Sequence, residues 1–575
     1  MSSRVENTEA EALTENTTQV VDGEEEIEEQ ADQTEDLVDE EESARPLFTA
    51  AGLHFSMSAA FAFLGIFTVL FYIFGPGIGY MHSDCTDTIL WAQASYDSGK
   101  WISPTFYYAA QLPFGGNLLM LPFIPFFGVS ITTHSLGMTL FLILFVISIF
   151  LACRAAGLSL SYRLDCIGLT LLVISSSKKM WEIFWGHVIY YSLGAMFLFY
   201  GFAILIAVEK RYREKKLTWY ALALAGLYFM LVALDGSQML ILVTLPLLAG
   251  FFLERFFDAE SPINCRENLA LGVVAVLLAV SSLLGLIWLF GILQAHTAGY
   301  ADAYSVWSAM SDWPQHVLDL PNAWFKLFGL EINERKPMFS LVSVGYLLRL
   351  VSAIVIAILP IGLMIRYKHI KDRPLKIFLW MHVVLSAAIV FAFIFGLLYT
   401  ANWRLSPIIA SGLLLLFFTL YYEIRKRSIA QRLIVLVTVP LALTALLNSA
   451  VILGKGFYYN RDNDVYKVAD FLEQNDLTYG YASFWNSQLI TVYTGEKVKA
   501  RNVSFNDLGI QHELYQASSE WFGPQEGVDR YFILMSSPEF KTWSNSETGQ
   551  IELERAIDIH KNIYGFVIVV VDHDL

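Results

Sequence analysis

Eleven apolar runs, most of them about 20 residues long, decide what this chain can become. A helix of that length spans the hydrocarbon of a bilayer, and backbone in lipid must satisfy its own hydrogen bonds. The runs begin at about Leu53–Phe74 and end at about Leu433–Leu453. Only 16% of the 575 residues are charged and 55% are hydrophobic, where a soluble domain carries about a quarter charged residues. The expected fold class is a polytopic α-helical membrane protein of about 11 transmembrane helices.

Basic residues give its orientation. EKRYREKK, RYKHIKDRPLK, EIRKRSIAQR and the Arg154–Arg163 loop all fall on one set of alternating loops. By the positive-inside rule this set is cytoplasmic, so the N-terminus lies inside and the C-terminus outside a plasma or inner membrane. The opposite set holds two long polar loops, at about 75–130 and 294–339. Residues 1–46 form an acidic tail, and its first 45 residues carry 17 acidic residues and two arginines. This tail accounts for nearly all of the net charge of −16 and is expected to be a disordered cytoplasmic spacer. The rest is near neutral, and no nucleic-acid partner is expected. Of Cys85, Cys153, Cys166 and Cys265 only Cys85 lies outside, and none has zinc-ligand spacing. Residues 47–455 form the membrane domain and 456–575 a small α/β extracytoplasmic domain. There NDVYKVADFLEQND has helical spacing, while YGYASF, QLITVYTG, KVKARNV, RYFILMSS and YGFVIVVVDHD read as strands. Asn502-Val503-Ser504 is a formal glycosylation sequon.

Candidate chemistry concentrates on the outer face. HSDCTD places His82, Asp84 and Asp87 just beyond the first membrane helix, with the two aspartates on one face of any helix starting there. Such carboxylates can serve as a general base, hold a divalent cation, or cap the following helix. The segment after them is amphipathic, and Ile89, Leu90, Trp91, Ala94 and Tyr96 can lie on a bilayer surface. Glu182 and His187 share EIFWGH at a helix entrance, Asp235 sits in the DGSQ turn, and Arg404 opens a late helix in NWRLSP. Each also has a plainer role: turn formation for Asp235, a hydrogen-bonded interfacial ring for His187, snorkelling for Arg404. An arginine fork in this position suits a phosphate or pyrophosphate. Lys178 and Lys179, the basic exception on this face, can meet a lipid phosphate or snorkel. Tyr107 and Tyr108 can stack on a sugar or join the aromatic belt, and Gly115 and Gly116 permit close backbone approach or a hinge.

The many membrane helices, HSDCTD in a long outer loop, YYAAQLPFGGNLLMLPF after it, and the Arg404 entry to a late helix resemble the GT-C glycosyltransferases. Within that family the chain is similar to protein O-mannosyltransferase-like and aminoarabinose-transferase-like bacterial enzymes. The likeness covers about residues 50–455. It implies an inverting transfer of a sugar from a polyprenyl-phosphate or polyprenyl-pyrophosphate donor to a glycan, lipid or protein acceptor. It implies Asp84 as base, and Arg404 or Lys178 on the donor phosphate. His82, Asp87, Glu182, His187, Asp235, Tyr107 and Tyr108 would then surround the acceptor. Members often carry an adjacent acidic pair in this loop; here Cys85 and Thr86 separate the two aspartates, and Asp84 is preferred because it lies nearer the helix end. No cofactor is expected to be required, although Mg or Mn held by Asp84, Asp87, Glu182 and His187 is compatible with the family. A transporter or flippase of lipid-linked sugars is the alternative; it calls for charges or broken helices at mid-membrane.

Overall fold

The computed structural model describes residues 50–110, 112–257, 265–293, 296–297, 306–331, 337–397, 401–426 and 431–575. The acidic tail lies outside them, as do 294–295, 298–305 and 332–336 of the loop after residue 293. Helix α1 is Ala50–Phe74 and α2, in the first loop, is Ser83–Ser98. The next membrane helices are α3 (Ile131–Ala155), α4 (Leu160–Ile174), α5 (Tyr190–Arg213), α6 (Trp219–Ala233), α7 (Leu240–Phe257) and α8 (Cys265–Ile287). After α9 (Trp313–Leu327) come α10 (Leu341–Ile365), α11 (Arg373–Phe395), α12 (Ser406–Lys426) and α13 (Gln431–Leu453).

All eleven apolar runs are helical, and the chain is a polytopic membrane protein. Among the described residues nine helices are long and apolar enough to cross a bilayer. The other two, α4 and α6, have 15 residues each, about 22 Å of helix against a hydrocarbon thickness of about 30 Å. Small residues let the helices touch. A Cβ on Gly65 of α1 would lie 3.2 Å from Gly168 Cα of α4, the close backbone approach on which membrane helix pairs depend. Arg349 lies well inside the α10 span. Arg349 of α10 donates from Nε and Nη2 to Asn448 Oδ1 of α13, at 3.1 and 2.8 Å. Asn448 Nδ2 in turn donates to Leu172 O and Ser176 Oγ, each at 2.9 Å.

The C-terminal segment is an α/β unit. Its helices are α14 (Asp464–Gln474), α15 (Phe484–Tyr493), α16 (Ser537–Ser544) and α17 (Glu547–Arg555). Its main sheet comprises β3 (Tyr479–Ala482), β4 (Lys499–Asn506), β5 (Gly509–His512), β7 (Tyr531–Ser536), β8 (Asp558–Ile563) and β9 (Phe566–Val571). The order is β5-β4-β3-β7-β9-β8, with β3 parallel to both β4 and β7 and the remaining pairs antiparallel. One face packs on Val468, Leu472 and Ile490, and the other, which carries Ile533, packs on Trp543. QLITVYTG is not a strand: its β-branched run lies on α15, which buries Leu489, Ile490 and Val492 where period-2 alternation would leave half of them wet. The sequon asparagine is fully buried and donates to Tyr515 O at 2.8 Å, so it is closed to glycosylation.

A second, small sheet joins parts distant in sequence. Strand β1 (Phe106–Tyr108) of the first loop pairs in parallel with β2 (His296–Thr297) and antiparallel with β6 (Ala517–Ser518) of the C-terminal unit. This covering corrects the expected place of α2. Ile89, Leu90 and Trp91 are 0–3% exposed and packed in protein rather than laid on lipid; Tyr96, 51% exposed, points out. Burying each such side chain is worth about 1.5–3 kcal/mol.

Candidate active site

The start of α2 sets the geometry. His82 is its N-cap in extended conformation, without a side-chain capping bond, so neither aspartate is spent as a cap. Asp84 lies in the first turn and Asp87 one turn on; both line a cavity of about 1570 Å³ between the membrane helices and the C-terminal unit. Lys179, Glu182, His187 and Arg404 line it as well. Its membrane side is apolar, with Ile241, Leu245 and Phe290 still 49–62% exposed. Its other wall is Trp485, Phe505, Glu513, Tyr515 and Gln516.

The acidic groups form a chain. His82 stands between two of them, with Nδ1 3.7 Å from Asp84 Oδ2 and Nε2 3.6 Å from Glu182 Oε2. Lys179 Nζ donates to both Glu182 oxygens at 2.7 Å and lies 4.7 Å over the Trp403 ring. Burial pushes Glu182 up, but His82 and Lys179 outweigh it and bring the carboxyl down to about 2. The His82 ring is raised, by the neighbouring Cys85 sulfur first and by its contacts with Glu182. Asp84 is raised by burial and by Glu182, against His82 and Lys179. Asp87 is raised well above the carboxylate range, first by burial and then by the charge of Asp84. His187 Nε2 is 3.9 Å from Asp87 Oδ2, and burial holds this ring neutral, down at about 3. The side chain of Asp84 is 28% exposed and that of Asp87 only 3%.

The structure therefore brings Asp84, Asp87, Glu182, His187 and Arg404 to one cavity, with His82 set between Asp84 and Glu182. Arg404 sits in the short Asn402–Leu405 turn before α12, and its Nε is buried without a hydrogen-bond partner among the described residues, as a donor awaiting an anion would be. Four candidates lie elsewhere. Lys178 does not line the cavity; its Nζ lies 5.4 Å over the Tyr80 ring, and the neighbour, Lys179, faces in, because adjacent residues of a helical turn point about 100° apart. Asp235 is buried beneath the wall and accepts the Phe114 N–H at 3.1 Å, while Gly236, Ser237 and Gln238 do the lining. Tyr107 stacks on His296, and Tyr108 is buried with its hydroxyl accepting the Ser103 N–H at 3.0 Å. Gly116 makes the close approach expected of this glycine pair: a Cβ there would lie 2.7 Å from Thr88 O. Trp485 and Gln516 were not foreseen, since nothing local marks a residue some 400 positions from Asp84 as its neighbour.

Among the described residues no three His, Cys, Asp or Glu side chains are set to hold a metal ion. Asp87 is engaged by Gln516.

No family profile and no curated protein sequence matches the chain. Among solved structures it is similar to ArnT from Cupriavidus metallidurans bound to undecaprenyl phosphate, with a TM-score of 0.53 over 91% of this chain and 98% of that one, at 13% identity. The chain has the GT-C fold. A weaker likeness, TM-score 0.46 at 12% identity, links 89% of it to 74% of the oligosaccharyltransferase AglB from Archaeoglobus fulgidus, in complex with an inhibitory peptide and a dolichol-phosphate. In this chain the cavity lies where the loop carrying Asp84 meets the C-terminal unit.

Proposed function

We propose that the chain is an inverting membrane glycosyltransferase that moves a sugar from a polyprenyl-phosphate or polyprenyl-pyrophosphate donor to an acceptor on the outer side of the cell membrane. One observation carries this reading: a single cavity holds a partly exposed carboxylate, Asp84, and a guanidinium with an orphaned buried donor, Arg404, behind a wall of exposed apolar membrane side chains. The apolar wall suits a lipid carrier, with its phosphate at Arg404 and Lys179. The Asp84 carboxylate takes the proton of an acceptor hydroxyl as its oxygen attacks the anomeric carbon. Attack comes from the face opposite the departing phosphate, which inverts the configuration. Burial raises Asp84 and so makes it a better proton acceptor once ionised. Charge gathers on the leaving phosphate, where Arg404 and Lys179 stabilise it. Lys179 takes the place first given to Lys178. The acceptor enters past Trp485, Glu513 and Tyr515; a glycan, a lipid or a protein hydroxyl meets the same wall.

A transporter would use charges at mid-membrane. Arg349 is one, but it is tied to Asn448 and does not line the cavity. The test is Asp84→Asn in full-length protein in membranes supplied with undecaprenyl-phosphate-linked hexoses, reading release of undecaprenyl phosphate. Loss of about 100-fold or more is expected at unchanged expression; retained turnover removes Asp84 as base. Mass spectrometry of envelope glycans with and without the protein then identifies sugar and acceptor.

A further inference from the structure

Gln516 belongs to the C-terminal unit yet sits in the acid pocket. It is 1% exposed and its backbone is left-handed at φ 58, a conformation uncommon for a residue with a side chain. Every polar group it has is used. Its Nε2–H donates to Asp87 Oδ2, and its Oε1 accepts the Trp91 indole N–H at 2.6 Å. Its backbone N–H donates to Tyr107 O at 3.0 Å, and its backbone O accepts from Gln488 Nε2 at 2.8 Å. An indole N–H can only donate, so Oε1 must face Trp91 and the NH₂ must face the aspartate; the chemistry fixes the amide's orientation. Strand β6 follows at once, with Ala517 opposite Tyr107 and Ser518 opposite Phe106. The strand pair thus delivers the amide to the pocket wall.

We propose that Gln516 is a positioning residue of this site: its amide pins Asp87 to the wall, which leaves Asp84 as the one aspartate free to take the acceptor proton, and it makes turnover depend on the docked C-terminal unit. The proposal rests on the glycosyltransferase reading above. Two aspartates one turn apart can otherwise share a proton, and a shared proton disables the base. Pinning prevents this, because Asp87 Oδ2 is held by Gln516 beside His187 while Asp84 faces the cavity. The charged and titratable groups around the pair are His82 and Cys85 from the start of α2, Lys179, Glu182 and His187 from the segment before α5, Arg404 from the turn before α12, and Glu513 and Glu539 from the C-terminal unit.

The test is Gln516→Glu in the full chain in membranes, with undecaprenyl-phosphate-linked hexose as donor. The new carboxyl has the shape of the amide and donates to Asp87 only when protonated. Turnover at pH 7 should fall at least tenfold and recover as the pH is lowered, so the optimum moves towards acid, whereas Gln516→Ala should lose activity without such recovery. Docking is followed separately by a membrane-impermeant maleimide at Cys85, which is 2% exposed and clusters with Tyr466 and Leu489 of the C-terminal unit. A Gln516→Glu protein with a protected Cys85 and the wild-type pH profile overturns the proposal. If Gln516→Glu exposes Cys85, Trp91→Phe decides: it removes the N–H that orients the amide, together with part of the buried indole's volume, and should reduce turnover several-fold with Cys85 protected, and full activity there overturns it. Asp84→Asn runs in the same series. Turnover by that variant refutes the glycosyltransferase base; silence there, with an ordinary Gln516→Glu, refutes only the role of Gln516.

Discussion

Gly116→Ala tests whether the loop segment Pro113–Asn117 sets the position of the aspartates. An added Cβ at Gly116 would lie 2.7 Å from Thr88 O, 2.8 Å from Thr88 Cα and 2.9 Å from Trp91 Cε3. Two of these atoms are backbone of α2, one turn beyond Asp84, so no rotamer change relieves them. Ordinary contact begins at 3.4 Å, so α2 must move by several tenths of an ångström. The segment cannot retreat instead: Phe114 N–H is held by Asp235 and Asn117 Nδ2 by Trp101 O, at 3.1 and 2.9 Å. Overpacking of this kind costs about 1–3 kcal/mol, and a displacement approaching 1 Å at a reacting group costs up to about 100-fold in rate. The expected result is a lowered melting temperature in detergent and a loss of turnover of about 10- to 100-fold. Gly115→Ala is the control. Its nearest contacts are Leu112 Cβ at 3.2 Å and Leu193 Cδ1 at 3.3 Å, which a shift of a few tenths of an ångström relieves, so it should stay closer to wild type than Gly116→Ala. Wild-type activity and melting for Gly116→Ala would refute the claim that this segment positions α2.

Lys179→Met should lower the melting temperature at pH 7. Glu182 is depressed in the folded protein, so its contribution is present above the ordinary carboxylate pKa of 4.5 and is lost as pH falls through about 2; the gap between variant and wild type should close over that interval, and a gap that widens instead counts against the pairing. Arg404→Ala should weaken use of the lipid-linked donor by about 100-fold in kcat/KM, and Arg404→Lys should restore little of it, because an ammonium does not replace a planar fork; equal dependence on donor in variant and wild type argues against a phosphate at Arg404. Asn448→Leu removes the acceptor for the Arg349 guanidinium and the link to α4, and should cost about 2 kcal/mol, read as thermal unfolding in detergent; an unshifted transition would show that the network contributes nothing net.

What the sequence revealed follows the range of the physics involved. The membrane helices were legible because a 20-residue apolar window is a local property. Asp84 and Asp87 were legible as neighbours because three residues make nearly one helical turn. Their meeting with Glu182, His187 and Arg404 could be read only as a shared face of the membrane, which topology supplies at low resolution. The choice between Lys178 and Lys179 needs the phase of a four-residue helix, Lys178–Trp181, too short to show a periodicity. LITVY misled for a different reason: β-branched composition favours a strand, yet burial on both sides of α15, against the sheet and against α2, overrides it. Gln516 was out of reach altogether, 429 positions from the residue it serves.

The same distance explains how the acid pocket is built. Carboxylates at a membrane surface stay fully solvated, and their pKa ordinary, unless something excludes water. The membrane domain supplies His187 at 3.9 Å from Asp87, but its largely apolar wall does not close the pocket by itself. The C-terminal unit supplies the closure and a further partner at one stroke. Its β6 strand adds to β1 of the loop, closing the pocket with main-chain bonds that need no particular side chains, and the residue just before it brings an amide to Asp87. Side-chain exposure then separates the two aspartates, 28% for Asp84 and 3% for Asp87, although four residues of sequence hold them. The division of labour between them is therefore set by the roof over the loop and not by the loop itself.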